Sequence, residues 1–123
     1  MNPLEALLYL TLNVYHEARS EPDLGQQAVV HVTLNRSQIR KMPVKDIILQ
    51  PHQFSWTGKP KKEWIPENWN AFYKAYENVA IALQSEDFTN GATHYHHKKI
   101  NPYWANEFQV IATWGAHKFY KGE

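Results

Sequence analysis

Apolar residues recur every three or four positions over the first third of the chain, which predicts two consecutive helices. Leu4, Leu7, Leu8, Leu12, Tyr15 and Ala18 mark the first. It starts at the Asn2-Pro3 signal with Glu5 in the first turn and runs to about Arg19. Glu21-Pro22-Asp23 ends it and caps a second helix from about Leu24 to Ser37, with Ala28, Val29 and Val32 facing inward. Val44 to Leu49 reads as a short helix after Met42-Pro43. Residues 50–65 read as a long loop with Pro51, Gly58 and Pro60, and a loop of that length in a compact domain is more often functional than idle. From Pro66 to about Gln84 a third major helix is predicted, with Trp69, Phe72, Tyr73, Tyr76, Val79, Ala80 and Leu83 on its buried stripe.

The pattern then changes. Asn90-Gly91 is a turn signal, and Ala92 to His96 alternates like a short strand. Ile111–Thr113 can pair with Lys118–Tyr120 as a hairpin around Gly115. The predicted fold class is α+β: mostly helical, with a small antiparallel β-sheet towards the C-terminus, in a single domain over residues 1–123.

Composition narrows the function. An apolar fraction of 43% and a charged fraction of 20% describe an ordinary globular chain. Five Trp, seven Tyr and five Phe exceed what a core of this size usually holds, so some rings are expected to line a groove. A net charge of +1 supplies no concentrated basic patch, so no nucleic-acid partner is expected; Lys59, Lys61 and Lys62 read as a solvated loop. Cysteine is absent, which excludes disulfides, thiol chemistry and sulfur-ligated zinc. The run from Leu4 to Val14 is interrupted by Glu5, Thr11 and Asn13 and lacks a basic leader, so neither a signal peptide nor a membrane span is expected.

Glu17 is the prime candidate for chemistry. It stands near the end of an apolar helix just before a turn, where a carboxyl can be half buried and still face a groove. Burial and the negative end of the helix dipole both raise a carboxyl pKa, which suits a general acid. A surface Glu paired with Arg19 or Arg36 is the alternative on position alone. His94 and His96 share one face of a strand and His97 the other. With His117 or His31 they could hold zinc, but Ser20 breaks any H-E-x-x-H pattern and no Asp-rich loop is present; no metal and no cofactor are expected. No serine lies in G-x-S-x-G, and the five scattered glycines form no phosphate loop. The segment Gln50 to Trp56 mixes amides, a hydroxyl and two rings that can stack on a sugar, or Phe54 and Trp56 can plug the core beneath the loop; Asn101 to Ala105 carries the same ambiguity.

Taken together, Tyr15-His16-Glu17-Ala18-Arg19, Glu21-Pro22, Gly25-Gln26, Leu34-Asn35-Arg36, Gln53-Phe54-Ser55, Gly91 to His96, Pro102-Tyr103-Trp104-Ala105 and His117 to Tyr120 resemble the cell-wall hydrolase family of spore-cortex-lytic enzymes, the SleB-like group. The resemblance runs in order over nearly the whole chain. It implies a lysozyme-like domain acting on peptidoglycan glycan strands, with one essential Glu matching Glu17, and a lytic transglycosylase cleaving between N-acetylmuramic acid and N-acetylglucosamine. The chain departs from the family pattern at His16 and Ser20, where glycine is usual.

On that resemblance, protonated Glu17 donates to the oxygen leaving the muramic C1, and ionised Glu17 then deprotonates the C6 hydroxyl that closes an anhydro ring. Gln53 and Ser55 are expected to hold acetamido groups beside Phe54, and Tyr95 to stabilise charge near C1. Tyr103, Trp104 and Tyr120 are expected to wall the groove. His94 lines its floor or is a satisfied core histidine, and Asn35 and Arg36 buttress the end of the Glu17 helix. Asp23, Asp46 and Asp87 sit at helix starts or turns, where capping explains them. A hydrolytic muramidase, a non-catalytic glycan-binding module and a metal-dependent amidase are the alternatives. The expected partner is peptidoglycan, without membrane insertion, for a monomer made in the cytoplasm and acting on the bacterial wall, in the manner of a stand-alone phage endolysin.

Overall fold

A computed structural model describes residues 2–123. Helix α1 spans Pro3–Ala18; the Asn2 side chain caps it by accepting from the amides of Leu4 and Glu5. Its consecutive residues Leu10 to Tyr15 are all buried, because α2 (Asp23–Arg40), α3 (Val44–Ile48) and α4 (Trp69–Leu83) surround it. A stretch of helix buried on every side needs partners for its polar residues, whereas Leu4 and Leu8 of the first turns remain exposed. Thr11 donates to the Leu7 carbonyl at 2.7 Å, and Asn13 accepts from the Trp56 indole at 2.9 Å.

Three details differ from the sequence reading. The residue before α2 is Pro22, which offers no side-chain cap, and the helix continues to Arg40 before Lys41 closes it in the left-handed region. Residues 50–65 fold into two 3-10 turns, Ser55–Gly58 and Lys61–Trp64. Helix α4 begins at Trp69, with Asn68 capping the Ala71 amide, and the face it buries is not the ring-rich one: Ala75, Asn78, Val79 and Ala82 are buried, whereas Trp69, Tyr73, Tyr76 and Leu83 are exposed. Small residues let α4 approach α1 and α2, and buried Asn78 bonds Gln26, Gln27 and Asp23 of α2 at 2.8–3.2 Å. That network fixes the helix rotation where large rings would hold it away.

The C-terminal third is an antiparallel sheet of β1 (His94–His97), β2 (Gln109–Trp114) and β3 (His117–Lys121) in the order β1-β3-β2, with a bulge between Val110 and Ala112. Two anchors hold it to the helices. Asp87 accepts from the Thr89 amide and hydroxyl, the Gly91 amide and the Asn35 side chain, which fixes the turn leading into β1. Glu21 accepts from the Ala116 amide at 2.6 Å at the hairpin tip. Gly115 there has φ +62, and a Cβ on it would stand 2.5 Å from the Glu21 carboxylate, so only glycine passes.

Candidate active site

Glu17 occupies the last turn of α1 and faces the sheet. The hydroxyl of Tyr95 on β1 donates to its Oε1 at 2.9 Å. Tyr95 pairs with buried Phe119 across β1 and β3, and its ring packs against His117 and Phe119. Fixing β3 through the Glu21 anchor therefore fixes the phenol over the acid. No ion pair forms at Glu17 among the described residues; Arg19 lies instead over the Tyr15 ring, 4.5 Å from its centroid.

Burial raises the Glu17 pKa, and the Tyr95 hydrogen bond and the charge of Arg36 only partly offset it. Burial and then the Glu17 charge hold the Tyr95 pKa well above that of a free phenol, so Tyr95 remains a donor across the physiological range. The pair is therefore an acid with its proton held up and a fixed donor beside it.

Arg36 is the cation of this region, and its position corrects the expected role. Rather than buttressing the end of α1, it donates from Nε to the Thr93 carbonyl at 2.6 Å and from Nη1 to Gln53 Oε1 at 3.1 Å, with its guanidinium 5.8 Å from the Phe54 ring centroid. Asn35 likewise serves the 87–92 turn, donating to Asp87 and to the Ala92 carbonyl. Together they tie the start of β1 to the 50–54 loop and to α2. Arg36 continues the stripe of Val29 and Val32, and a charge on an apolar stripe was the available signal that it works inside the fold.

His16 clamps the last turn of α1. Its ring stacks on Trp56 at 4.8 Å and 16°, and Nε2 bonds the Trp64 carbonyl at 2.9 Å. Burial lowers its pKa, with Arg19 and Lys59 acting in the same direction against the Trp64 bond. The neutral ring then carries its proton on Nε2, since a carbonyl can only accept. Glycine in this position would offer neither stack nor bond. Beside it lies a cavity of about 150 Å³ lined by Tyr15, His16, Arg19, Lys59, Glu63 and Glu67 among others. The sequence pattern gave no sign of Glu63 or Glu67 there.

The remaining candidate residues divide into two groups. Gln53 is exposed and joins the Glu17 region through Arg36; Ser55 is exposed at the start of the first 3-10 turn; Phe54 is buried in the core with Trp56. His94, Trp104 and Tyr120 lie on the other face of the sheet from Tyr95, with Tyr103 87% exposed nearby. There His94 packs against Trp104 and Phe108, and burial followed by the charge of Arg36 lowers its pKa to about 4. Among the described residues no three His, Asp or Glu side chains converge as a metal site. Asp87 is engaged in its turn: burial alone would raise its pKa, but its bonds from Thr89, Asn35 and Gly91 outweigh that and lower it.

The domain sets the half-buried carboxyl of Glu17 against a small antiparallel sheet. Residues 20–120 match the family model described as Cell Wall Hydrolase, and the chain belongs to that family. Glu17 lies just before the matched segment. The chain is 36% identical over 84 residues to a spore cortex-lytic enzyme of Halalkalibacterium halodurans, covering 67% of this chain and 24% of that protein, so it spans about a quarter of the relative's length. Its fold matches the catalytic domain of the germination-specific lytic transglycosylase SleB from Bacillus anthracis, with TM-score 0.79, 27% identity, and coverage of 98% of this chain and 99% of that one. The catalytic domain of the Bacillus cereus SleB protein gives TM-score 0.77 and 30% identity, covering 95% and 91%. The chain is thus a domain of the cell wall hydrolase family with a mostly helical fold.

Proposed function

We propose that this domain is a lytic transglycosylase that cleaves the bond between N-acetylmuramic acid and N-acetylglucosamine, with Glu17 as both general acid and general base. The supporting observation is the Glu17–Tyr95 pair: a carboxyl whose pKa is raised by burial, held at 2.9 Å by a phenol that keeps its own proton. In the first step Glu17 passes its proton to the departing glucosamine oxygen as the muramic C1 takes on oxocarbenium character. In the second, ionised Glu17 takes the proton of the C6 hydroxyl as that oxygen bonds to C1. The Tyr95 hydrogen bond and the Arg36 charge steady the carboxylate between the two steps. Gln53 and Ser55, exposed on either side of core residue Phe54, are assigned the acetamido groups of the strand.

A single-carboxylate route fits what the other acids are doing. Asp87 and Glu21 hold the sheet in place, and Asp23 bonds Asn78 and lies 3.6 Å from Lys74. The hydrolytic alternative needs a second carboxylate about 6.5–9.5 Å away to activate water, and Glu63 and Glu67 of the adjoining cavity are the groups to test. Mass spectrometry of digested sacculi separates the two. Anhydromuramic ends, one water lighter than hydrolytic ends, are expected; reducing muramic ends throughout would replace this reading with the hydrolytic one. Action on the wall after membrane breach, as a phage-type endolysin, belongs to the same proposal: protein produced inside cells should lyse them only once the cytoplasmic membrane is permeabilised.

A further inference from the structure

The outer face of the sheet and the segment after β1 enclose a cavity of about 470 Å³, within the range of small-ligand sites, about 300–1,000 Å³. Its charge is one-sided. Lys98 and Lys118 line it with the amides of Asn101 and Asn106, and no Asp or Glu lines it among the described residues. Its floor is the buried Tyr120 ring, stacked on His96 at 5.3 Å and 26°, with the Lys118 ammonium 5.7 Å from the Tyr120 centroid. Both rings are fixed by bonds of their own. His96 Nδ1 bonds the His97 carbonyl and must carry the proton there, and Nε2 meets the Tyr120 hydroxyl at 2.8 Å.

Strand alternation separates this cavity from Glu17. Tyr95 and Phe119 point to the helices, whereas His96, Lys118 and Tyr120 point the other way. The proposed reaction uses none of these outer groups. They include Tyr120, which the sequence reading had placed in the catalytic groove.

We propose that this outer cleft is a second binding site, taking an anionic saccharide segment of the wall polymer and holding the domain on its insoluble substrate. The half-buried His96 ring, backed by Tyr120, and the exposed Ile100 and Val110 suit the apolar face of a sugar ring; amides suit its hydroxyl or acetamido groups, and paired ammonium groups suit a carboxylate or phosphate. The inference rests on the wall polymer as substrate. Carboxylates of peptide stems and phosphates of accessory polymers share the required chemistry.

Sedimentation with purified sacculi tests it, using Glu17→Gln protein so that the matrix is not degraded. Adding Lys98→Glu and Lys118→Glu is expected to weaken binding about tenfold, that is by about 1.4 kcal/mol, with the difference shrinking at high salt. The milder pair Lys98→Gln and Lys118→Gln should fall between, at unchanged melting temperature. Sacculi stripped of phosphate-bearing polymers by hydrofluoric acid identify the source: retained binding assigns carboxylates, lost binding assigns phosphates. Equal sedimentation of all these proteins on both preparations overturns the second site. With Glu17 intact, the lysine variants should digest sacculi more slowly yet cleave short soluble glycan at the parent rate. If the parent shows no cleavage at all, the proposed reaction fails instead. NMR titration with N-acetylmuramic acid and with inorganic phosphate still decides the cleft in that case, by shifts at Lys118 and Tyr120 with one probe or by none with either.

Discussion

The two faces of the three-stranded sheet do different work with neighbouring residues of the same strands. On the inner face Tyr95, His117 and Phe119 pack towards the helices, and the one hydroxyl among them is aimed at Glu17. On the outer face His94, His96 and Tyr120 pack with Trp104 and Phe108, Lys118 lies over Tyr120, and Lys98 lines the adjoining cleft. The inner face carries the phenol that bonds Glu17; the outer face carries an aromatic cluster and, beside it, two lysines. Sheet geometry allows both because side chains alternate, so residues adjacent in sequence meet different environments. A chemically rich segment such as His94 to His97 is therefore not one site.

The sharpest way to break this division is at the acid. Glu17→Gln should lower lysis of peptidoglycan by at least about 10²-fold in a turbidity assay, the contribution of a general acid–base group. The same change should raise thermal stability near neutral pH. Burial lifts the folded pKa of Glu17 above its unfolded value, so ionisation penalises the native state as pH rises through the folded pKa. The melting-temperature difference should vanish below the unfolded carboxyl pKa; a variant less stable than the parent at neutral pH would contradict a buried, raised carboxyl.

Removing the inner-face donor should have the next largest effect. Tyr95→Phe deletes a bond to a charged group, worth about 1.5–3 kcal/mol, so kcat should fall roughly tenfold to a hundredfold. That bond lowers the Glu17 pKa, so its loss should move the alkaline limb of the pH–rate profile upwards. An unchanged profile would show that the phenol does not act on the acid.

At His94 on the outer face the expected effect is on stability rather than rate. His94 has a folded pKa of about 4, depressed by burial from 6.5. Its stabilising contribution is present above about pH 6.5 and is lost as pH falls towards 4, because the unfolded chain takes up the proton first. His94→Phe should flatten that part of the melting-temperature curve and leave the Glu17 profile in place. Smallest of all, Tyr103→Ala, at a position 87% exposed, should change stability by no more than about 0.5 kcal/mol in urea titration.

Helix and strand order was legible in the chain because it depends on local signals. The Asn2 cap, the Asn90-Gly91 turn and the Gly115 hairpin each act over a few residues, and the helical spacing of α1 and α2 survives in the fold. The half-buried position of Glu17 was legible too, since a carboxyl at the end of an apolar helix is a local oddity. The rotation of α4 was not legible: a count of large rings favours Trp69, Tyr73 and Tyr76, while Asn78 and three small residues are what the neighbouring helices accept. Residue types and spacing thus determined the elements, the candidate acid and the stock of aromatic groups. Only the tertiary structure decided that Tyr95 faces the acid while His94, Trp104 and Tyr120 do not, and that Arg36 reaches Thr93 and Gln53. Those outcomes depend on how strands pair and where the hairpin docks on Glu21, contacts between residues far apart in the chain that no local pattern encodes.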